Sequence, residues 1–135
     1  MIDTTHILKD AGFVDADAAG TVDSSAKIVD LGAGLVEGHM VVDVTAIEVA
    51  DNDELYKISL QGSNQSDFVG VSGECAVLNL GAAGVIAAGI DSITGRYKVP
   101  FRNEQNGTIW QYVRSYTDVS GTIAAGINFS AHLSK

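Results

Sequence analysis

The residues with which this chain could do chemistry are three histidines, one cysteine and seventeen carboxylates, so metal binding and acid–base catalysis come first. His6, His39 and His132 lie far apart, and none has another candidate ligand at a recognised zinc spacing. Each is expected as a surface or half-buried imidazole. Cys75 stands alone, which excludes an intramolecular disulfide and leaves a buried structural thiol as the expectation. Residues 15–20, DADAAG, imitate the opening of a calcium loop, but Ala19 stands where a third oxygen ligand belongs and Ala26 where the closing bidentate Glu belongs. Asp51, Asn52, Asp53 and Glu54 make an acidic turn that could hold calcium weakly and reads better as a solvated hairpin tip. The glycines of DLGAG and LGAAG lack the Lys-Ser/Thr of a phosphate loop, and GVSGE around Ser72 is no nucleophile elbow. Carboxylate pairs are plentiful, yet an acidic surface supplies them without any raised pKa. The chain is therefore expected to have no catalytic residue, no cofactor and no metal.

One stretch has binding chemistry instead. Residues 96–116, RYKVPFRNEQNGTIWQYVRSY, hold four of the eight basic side chains and five of the nine aromatics of an acidic protein. Asn106-Gly107 is the strongest two-residue hairpin signal, because a type I′ turn needs φ > 0 at both central positions. If these two residues form the whole turn, facing residues have numbers summing to 213. Tyr97, Val99 and Phe101 then share a face with Trp110, Tyr112, Arg114 and Tyr116, while Arg96, Lys98, Pro100 and Arg102 face water. One extra turn residue flips one strand against the other. Trp110, Tyr112, Arg114 and Tyr116 then join Arg96, Lys98 and Arg102 on one exposed face, suited to stacking and cation–π contact. Both registers stand open.

The elements that must carry these residues are strands. From about residue 26 the chain reads as short β-branched runs divided by Gly, Asn and Asp: 26–31, 40–48, 55–62, 76–80, 85–93, 96–101, 109–116 and 127–133. Period-2 alternation is clear at Val42, Val44, Ala46 and at Tyr56, Ile58, Leu60. Helical signals are weak, with at most a turn or two over residues 7–13, and residues 1–25 are expected as a less regular N-terminal segment. Eight short strands at this spacing suggest an antiparallel sandwich or jelly roll. At 135 residues, 14.0 kDa and 46% hydrophobic composition, residues 1–135 fit one domain.

Charge narrows the partners. Residues 1–54 hold twelve acidic and two basic groups, a balance of −10, whereas residues 55–135 hold five and six, a balance of +1. A field of this sign repels a polyanion, so direct nucleic-acid binding is disfavoured. The N-terminus carries no basic region followed by an apolar run, and residues 77–90 are broken by Asn79 and three glycines. Neither a signal peptide nor a membrane span is expected.

Three segments, in order, carry a family pattern. Residues 18–34, AAGTVDSSAKIVDLGAG, run from a small-residue, Ser-containing lead into an Ile-Val-Asp-Leu-Gly strand end. Residues 55–68, LYKISLQGSNQSDF, place Leu-Gln-x-Ser before a polar loop and a Phe. Residues 112–133, YVRSYTDVSGTIAAGINFSAHL, read as a Tyr-aliphatic-Arg strand, a small-residue turn and a closing strand. Together these resemble the capsid cement (decoration) proteins of Bordetella-phage type tailed bacteriophages. The resemblance implies an all-β, jelly-roll subunit on the outer capsid surface of a virion, made in the host bacterial cytoplasm. Its implied partners are the major capsid protein and further copies of itself, as a homodimer or a trimer. The chain departs from the pattern at Ser115, where a second aliphatic belongs. Charge asymmetry and aromatic content mark two expected contact regions: the acidic segment 10–30, with Asp15, Asp17 and Asp23, and the stretch 96–116. A sugar- or receptor-binding sandwich, stacking its ligand on Trp110, Tyr112 and Tyr116, is the alternative.

Overall fold

The structure is a computed structural model and describes residues 6–70, 72–86 and 89–134. Seven long strands form where β-branched and aromatic residues alternate with polar ones: β1 (Ile7–Val14), β6 (Glu37–Ile47), β7 (Leu55–Ser63), β8 (Ser72–Gly81), β9 (Gly95–Arg102), β12 (Tyr112–Ser120) and β13 (Ile127–Ser134). Between them lie six two-residue strands: β2 (Ala18–Ala19), β3 (Thr21–Val22), β4 (Ser25–Ala26), β5 (Val29–Asp30), β10 (Glu104–Gln105) and β11 (Thr108–Ile109). One sheet has the order β1-β13-β6-β9. The other runs β2-β12-β7-β8, with β5 also pairing β12. All pairings are antiparallel.

With β2 and β5 sharing one position, the sandwich has eight strand positions. Of these eight positions, taken in chain order, only β7 and β8 are successive neighbours within one sheet; each other successive pair lies in opposite sheets. That connectivity is the jelly roll, and the expected all-β fold class is what the chain adopts. No helix among the described residues is long and apolar enough to cross a membrane.

The inner faces follow the alternation. Tyr56, Ile58 and Leu60 of β7 and Met40, Val42 and Val44 of β6 are buried against Val113 of β12 and against Ile127, Phe129 and Leu133 of β13. Ser115 also points inward and is buried. Its size has a cause, because the Gly20 amide donates to the Ser115 carbonyl at 2.9 Å and a Cβ on Gly20 would lie 2.2 Å from the Ser115 hydroxyl oxygen. An aliphatic side chain at 115 would have to displace that backbone.

Three expectations about elements are corrected. Residues 7–14, expected to be irregular or to make a helical turn, are edge strand β1 with Leu8 fully buried. Register shifts between Ile7 and Lys9 and between Lys9 and Gly12 break its period-2 pattern and hide the strand from periodicity. Residues 85–93, expected as a strand, contain none among those described. The Val85 and Ile86 amides instead both donate to the Ala82 carbonyl, at 3.1 and 3.3 Å, so the segment turns and bridges the two sheets. The expected strand 26–31 is likewise reduced to parts of β4 and β5.

Candidate binding surfaces

The Asn106-Gly107 turn forms as a two-residue loop, with φ of 50° and 88° at its centre. Its partners are Glu104↔Ile109 and Gln105↔Thr108, both summing to 213. The ladder stops there, which corrects both registers. β9 continues into the sheet of β6, pairing Arg102 with Glu37, and β12 continues into the sheet of β7, pairing Tyr112 with Ser63. Arg96, Lys98 and Arg102 therefore point outward from one sheet, and Tyr112, Arg114 and Tyr116 outward from the other. The expected single face combining them does not exist.

Asn103 separates the two strands. It is fully buried; its side-chain oxygen accepts from the Val36 amide at 2.7 Å, and its Nδ2 donates to the carbonyls of Gly34 at 3.1 Å and Trp110 at 3.0 Å. Its backbone carbonyl also accepts the Trp110 amide at 2.7 Å. A buried amide with its hydrogen-bonding capacity met is a rigid staple, and here it parts the chain between sheets.

Trp110, expected as a stacking anchor, is only 8% exposed. Its indole lies across the cross-strand pair Gly62↔Gly73 of β7 and β8. A Cβ on Gly62 would come within 2.7 Å of Trp110, and one on Gly73 within 3.2 Å of the indole. The indole nitrogen donates to Gln105 Oε1 at 3.0 Å, and Gln105 Nε2 donates in turn to the Glu74 carbonyl on β8. Trp110 is thus a core residue that pins the small hairpin to the β8 edge.

On the outer face of β12, the guanidinium of Arg114 sits between two rings, 4.5 Å from the Phe68 centroid and 5.5 Å from that of Tyr116. Its Nε donates to Gln61 Oε1 at 2.8 Å. The cations of β9 are engaged differently. Arg96 forms a two-pronged pair with Asp43, at 2.7 and 3.2 Å, which holds the Asp43 carboxyl below its usual range, and Arg102 lies 3.7 Å from Glu104.

Asp15, Asp17 and Asp23 are exposed around an open groove of about 440 Å³, which Lys9 and Asp10 also line. The acids are partly loop locks: Asp17 accepts the Val119 amide at 2.7 Å, and Asp10 accepts the Asp23 amide at 2.8 Å. Lys9 is buried, and its ammonium donates to the carbonyls of Asp10, Gly12 and Phe129 at 2.9, 2.9 and 2.7 Å. Burial pushes its pKa down to about 8, against an opposing pull from Asp10.

Among the described residues, those best placed to hold a metal are Glu48, Asp51 and Glu54, each with an oxygen within 4.8 Å of the others. Lone pairs of Glu48 and Glu54 already serve the loops. Glu48 Oε1 accepts the amides of Ala124, Ala125 and Gly126 at 2.8–2.9 Å, which lowers the Glu48 pKa, and fully buried Glu54 accepts the Asp51 and Asp53 amides at 2.6 and 3.2 Å. Asp53 takes the amide and hydroxyl of Thr122, at 3.0 and 2.8 Å. What reads in sequence as an acidic hairpin tip is a clamp between residues 48–54 and 121–126. Cys75 is half-buried in β8, and burial raises its thiol to about 11.

Sequence reasoning missed several of these residues. Asn103 and Gly62 carry no local signal, since their roles depend on Trp110. Val85, Ile90 and Ile93, assigned to a strand, are instead 44%, 71% and 73% exposed on the connection between β8 and β9. No family model matches this chain, and no curated protein matches it either.

Proposed function

We propose that this protein is a phage capsid cement protein: a structural, non-enzymatic subunit that binds the outside of the major capsid shell and stabilises contacts between capsomers. The observation that carries this reading is the β8–β9 connection, which holds Val85, Ile90 and Ile93 out into solvent from a rigid sandwich. Exposed aliphatics grouped on one loop suit burial against another protein. The jelly-roll topology fits the same reading, as does the use of Glu48, Asp53 and Glu54 to lock loops. Cementing needs a stiff, repeated, complementary surface and no reaction. The capsid, and not the enclosed nucleic acid, is then the direct partner, at the outer surface of the virion. The alternative, a sugar- or receptor-binding module, loses the stacking anchor assigned to Trp110.

Undecorated capsids of the resembled phage type provide the test. The chain is expected to add stoichiometrically and to raise the temperature at which those capsids disassemble. The pair Ile90→Ser and Ile93→Ser is expected to abolish addition while leaving the unfolding free energy of the free chain within about 0.5 kcal/mol of wild type, as exposed substitutions do. Failure of the wild-type chain to add to such capsids would sink the proposal.

A further inference from the structure

The outer face of β12 holds a guanidinium prepared for a carboxylate. Arg114 is fixed by the rings of Phe68 and Tyr116 and by Gln61, while its two terminal nitrogens have no partner among the described residues. A planar fork already held in place loses little side-chain freedom when it meets an acid. One of the two rings is placed there against backbone preference. Phe68 has φ of 57°, a left-handed conformation that bulky side chains rarely adopt. Its loop enforces it: the Phe68 amide donates to the Gln65 carbonyl at 3.1 Å, Ser63 Oγ accepts the Gln65 amide at 3.1 Å, and Asp67 Oδ1 accepts the Val69 amide at 3.0 Å. A strained residue that steadies a charged group points to work for that group.

The surroundings select among anions. Tyr112 lies two residues along the same face, about 7 Å away by strand rise, and is half-buried. Gln61 Oε1 accepts from Arg114, which leaves the Gln61 amide hydrogens as donors beside the fork. Carboxylates stand near as well. Glu74 is cross-strand from Gln61 and pairs with Lys57 at 2.8 Å, Asp30 pairs with Tyr112 from β5, and Asp118 lies on the same face of β12. A ligand with several negative charges, such as phosphate or an acidic peptide, would set some of them against these groups. A single carboxylate on an otherwise uncharged, hydroxyl-rich body would not.

We propose that this face binds an acidic sugar, one uronic acid unit among neutral sugars, with its carboxylate on the terminal nitrogens of Arg114 and its ring against Tyr112. Arginine matches a carboxylate through two parallel N–H···O bonds. The sugar ring, attached directly to that carboxylate, offers C–H groups to the tyrosine and hydroxyls to Gln61. The anchor is thus an arginine in an aromatic clamp, and the buried Trp110 takes no part. The site shares no residue with the β8–β9 connection assigned to the capsid, and neither reading depends on the other.

An NMR titration of the full chain with methyl glucuronide tests this, with methyl glucoside as the neutral analogue. Wild type is expected to show saturable shifts confined to residues 61–68 and 112–116, with a Kd on the order of 1 mM for so small a ligand. Methyl glucoside is expected to bind at least about tenfold more weakly, as is methyl glucuronide to Arg114→Gln, since each lacks one half of the charge-assisted pair. Arg114→Lys keeps the charge without the fork and is expected to recover only part of the loss. Tyr112→Ala is expected to weaken binding about fivefold, and Arg96→Gln, on the other sheet, to change nothing. A dispersed spectrum from each variant separates lost binding from lost folding; should Arg114→Gln not fold, Arg114→Lys and Tyr112→Ala decide. Absence of saturable shifts in wild type, equal binding of the neutral sugar, or full binding by Arg114→Gln would each overturn the proposal. Tighter binding of tetraglutamate would overturn it in favour of an acidic protein surface, and tighter binding of inorganic phosphate in favour of a general anion site. Capsid addition is measured separately, so failure here leaves the cement reading standing.

Discussion

Several side chains in this protein earn their place by what they do for backbone amides. Glu48, Asp53 and Glu54 each spend carboxylate oxygens on the N–H groups of loops that close one end of the sandwich. For Glu48 the amides of Gly126 and Ala124, and for Asp53 the amide and hydroxyl of Thr122, hold the carboxyl below its ordinary range. Asp43, through Arg96, is lowered too. A depressed folded-state pKa means that the native state binds fewer protons than the unfolded chain as pH falls, so the stability these groups contribute is present above their unfolded values, roughly pH 4 to 4.5. It is lost on acidification through the folded values. Urea melts at a series of pH values are expected to show stability falling steeply below about pH 4.5. Glu48→Gln is expected to lower stability at neutral pH and to flatten the acid limb. A variant with the same acid slope as wild type would refute the assignment of that slope to Glu48.

At the scale of elements, what was legible in the sequence was whatever alternation and turn chemistry encode locally. Tyr56, Ile58 and Leu60 alternate into the core as period 2 requires, and Asn106-Gly107 turns in the type I′ geometry its residues favour. The hairpin reasoning failed one step beyond the turn, because the partner of a long strand is settled by which sheet can bury it. Asn103 and Trp110 make that decision through contacts with residues 34–36 and with the glycines of β7 and β8. No pattern within 96–116 reports contacts so distant. The seat itself is testable. Gly62→Ala would put a methyl 2.7 Å from Cβ and Cγ of Trp110, and overpacking of this kind costs about 1–3 kcal/mol. Gly73→Ala meets the movable end of Gln105 first and is expected to cost less. Since Trp110 is the chain's one tryptophan, Gly62→Ala is expected to shift its fluorescence to the red as the indole moves toward water. An unchanged spectrum with unchanged stability would show that the glycines are not a seat.

For the whole molecule, the closure of the sandwich depends on its first strand. β1 is one edge of the sheet β1-β13-β6-β9 and pairs β13 from Ile7↔His132 to Val14↔Ile127. Leu8 reaches the core, and Lys9 covers the ring of Phe129 at 4.3 Å while satisfying three backbone carbonyls. Gly20 threads between β1 and β12, where a Cβ would strike the Leu8 carbonyl at 2.6 Å. β1 and the strands β2 to β5 therefore close one wall of the jelly roll together, and this wall carries Asp10, Asp15, Asp17 and Asp23. β8 and β9 form the opposite wall. A merely irregular N-terminal segment could be removed at little cost. Loss of β1 would instead bare the β13 edge together with Phe129, and unpaired edges of that kind pair with other chains. Deleting residues 1–14 is accordingly expected to give an unfolded or aggregating product. Leu8→Ala is the milder probe, expected to cost about 2–5 kcal/mol by denaturant unfolding, as truncation of a fully buried leucine does. A truncated chain that stays monomeric and unfolds cooperatively near the wild-type midpoint would show that the wall closes without its first strand.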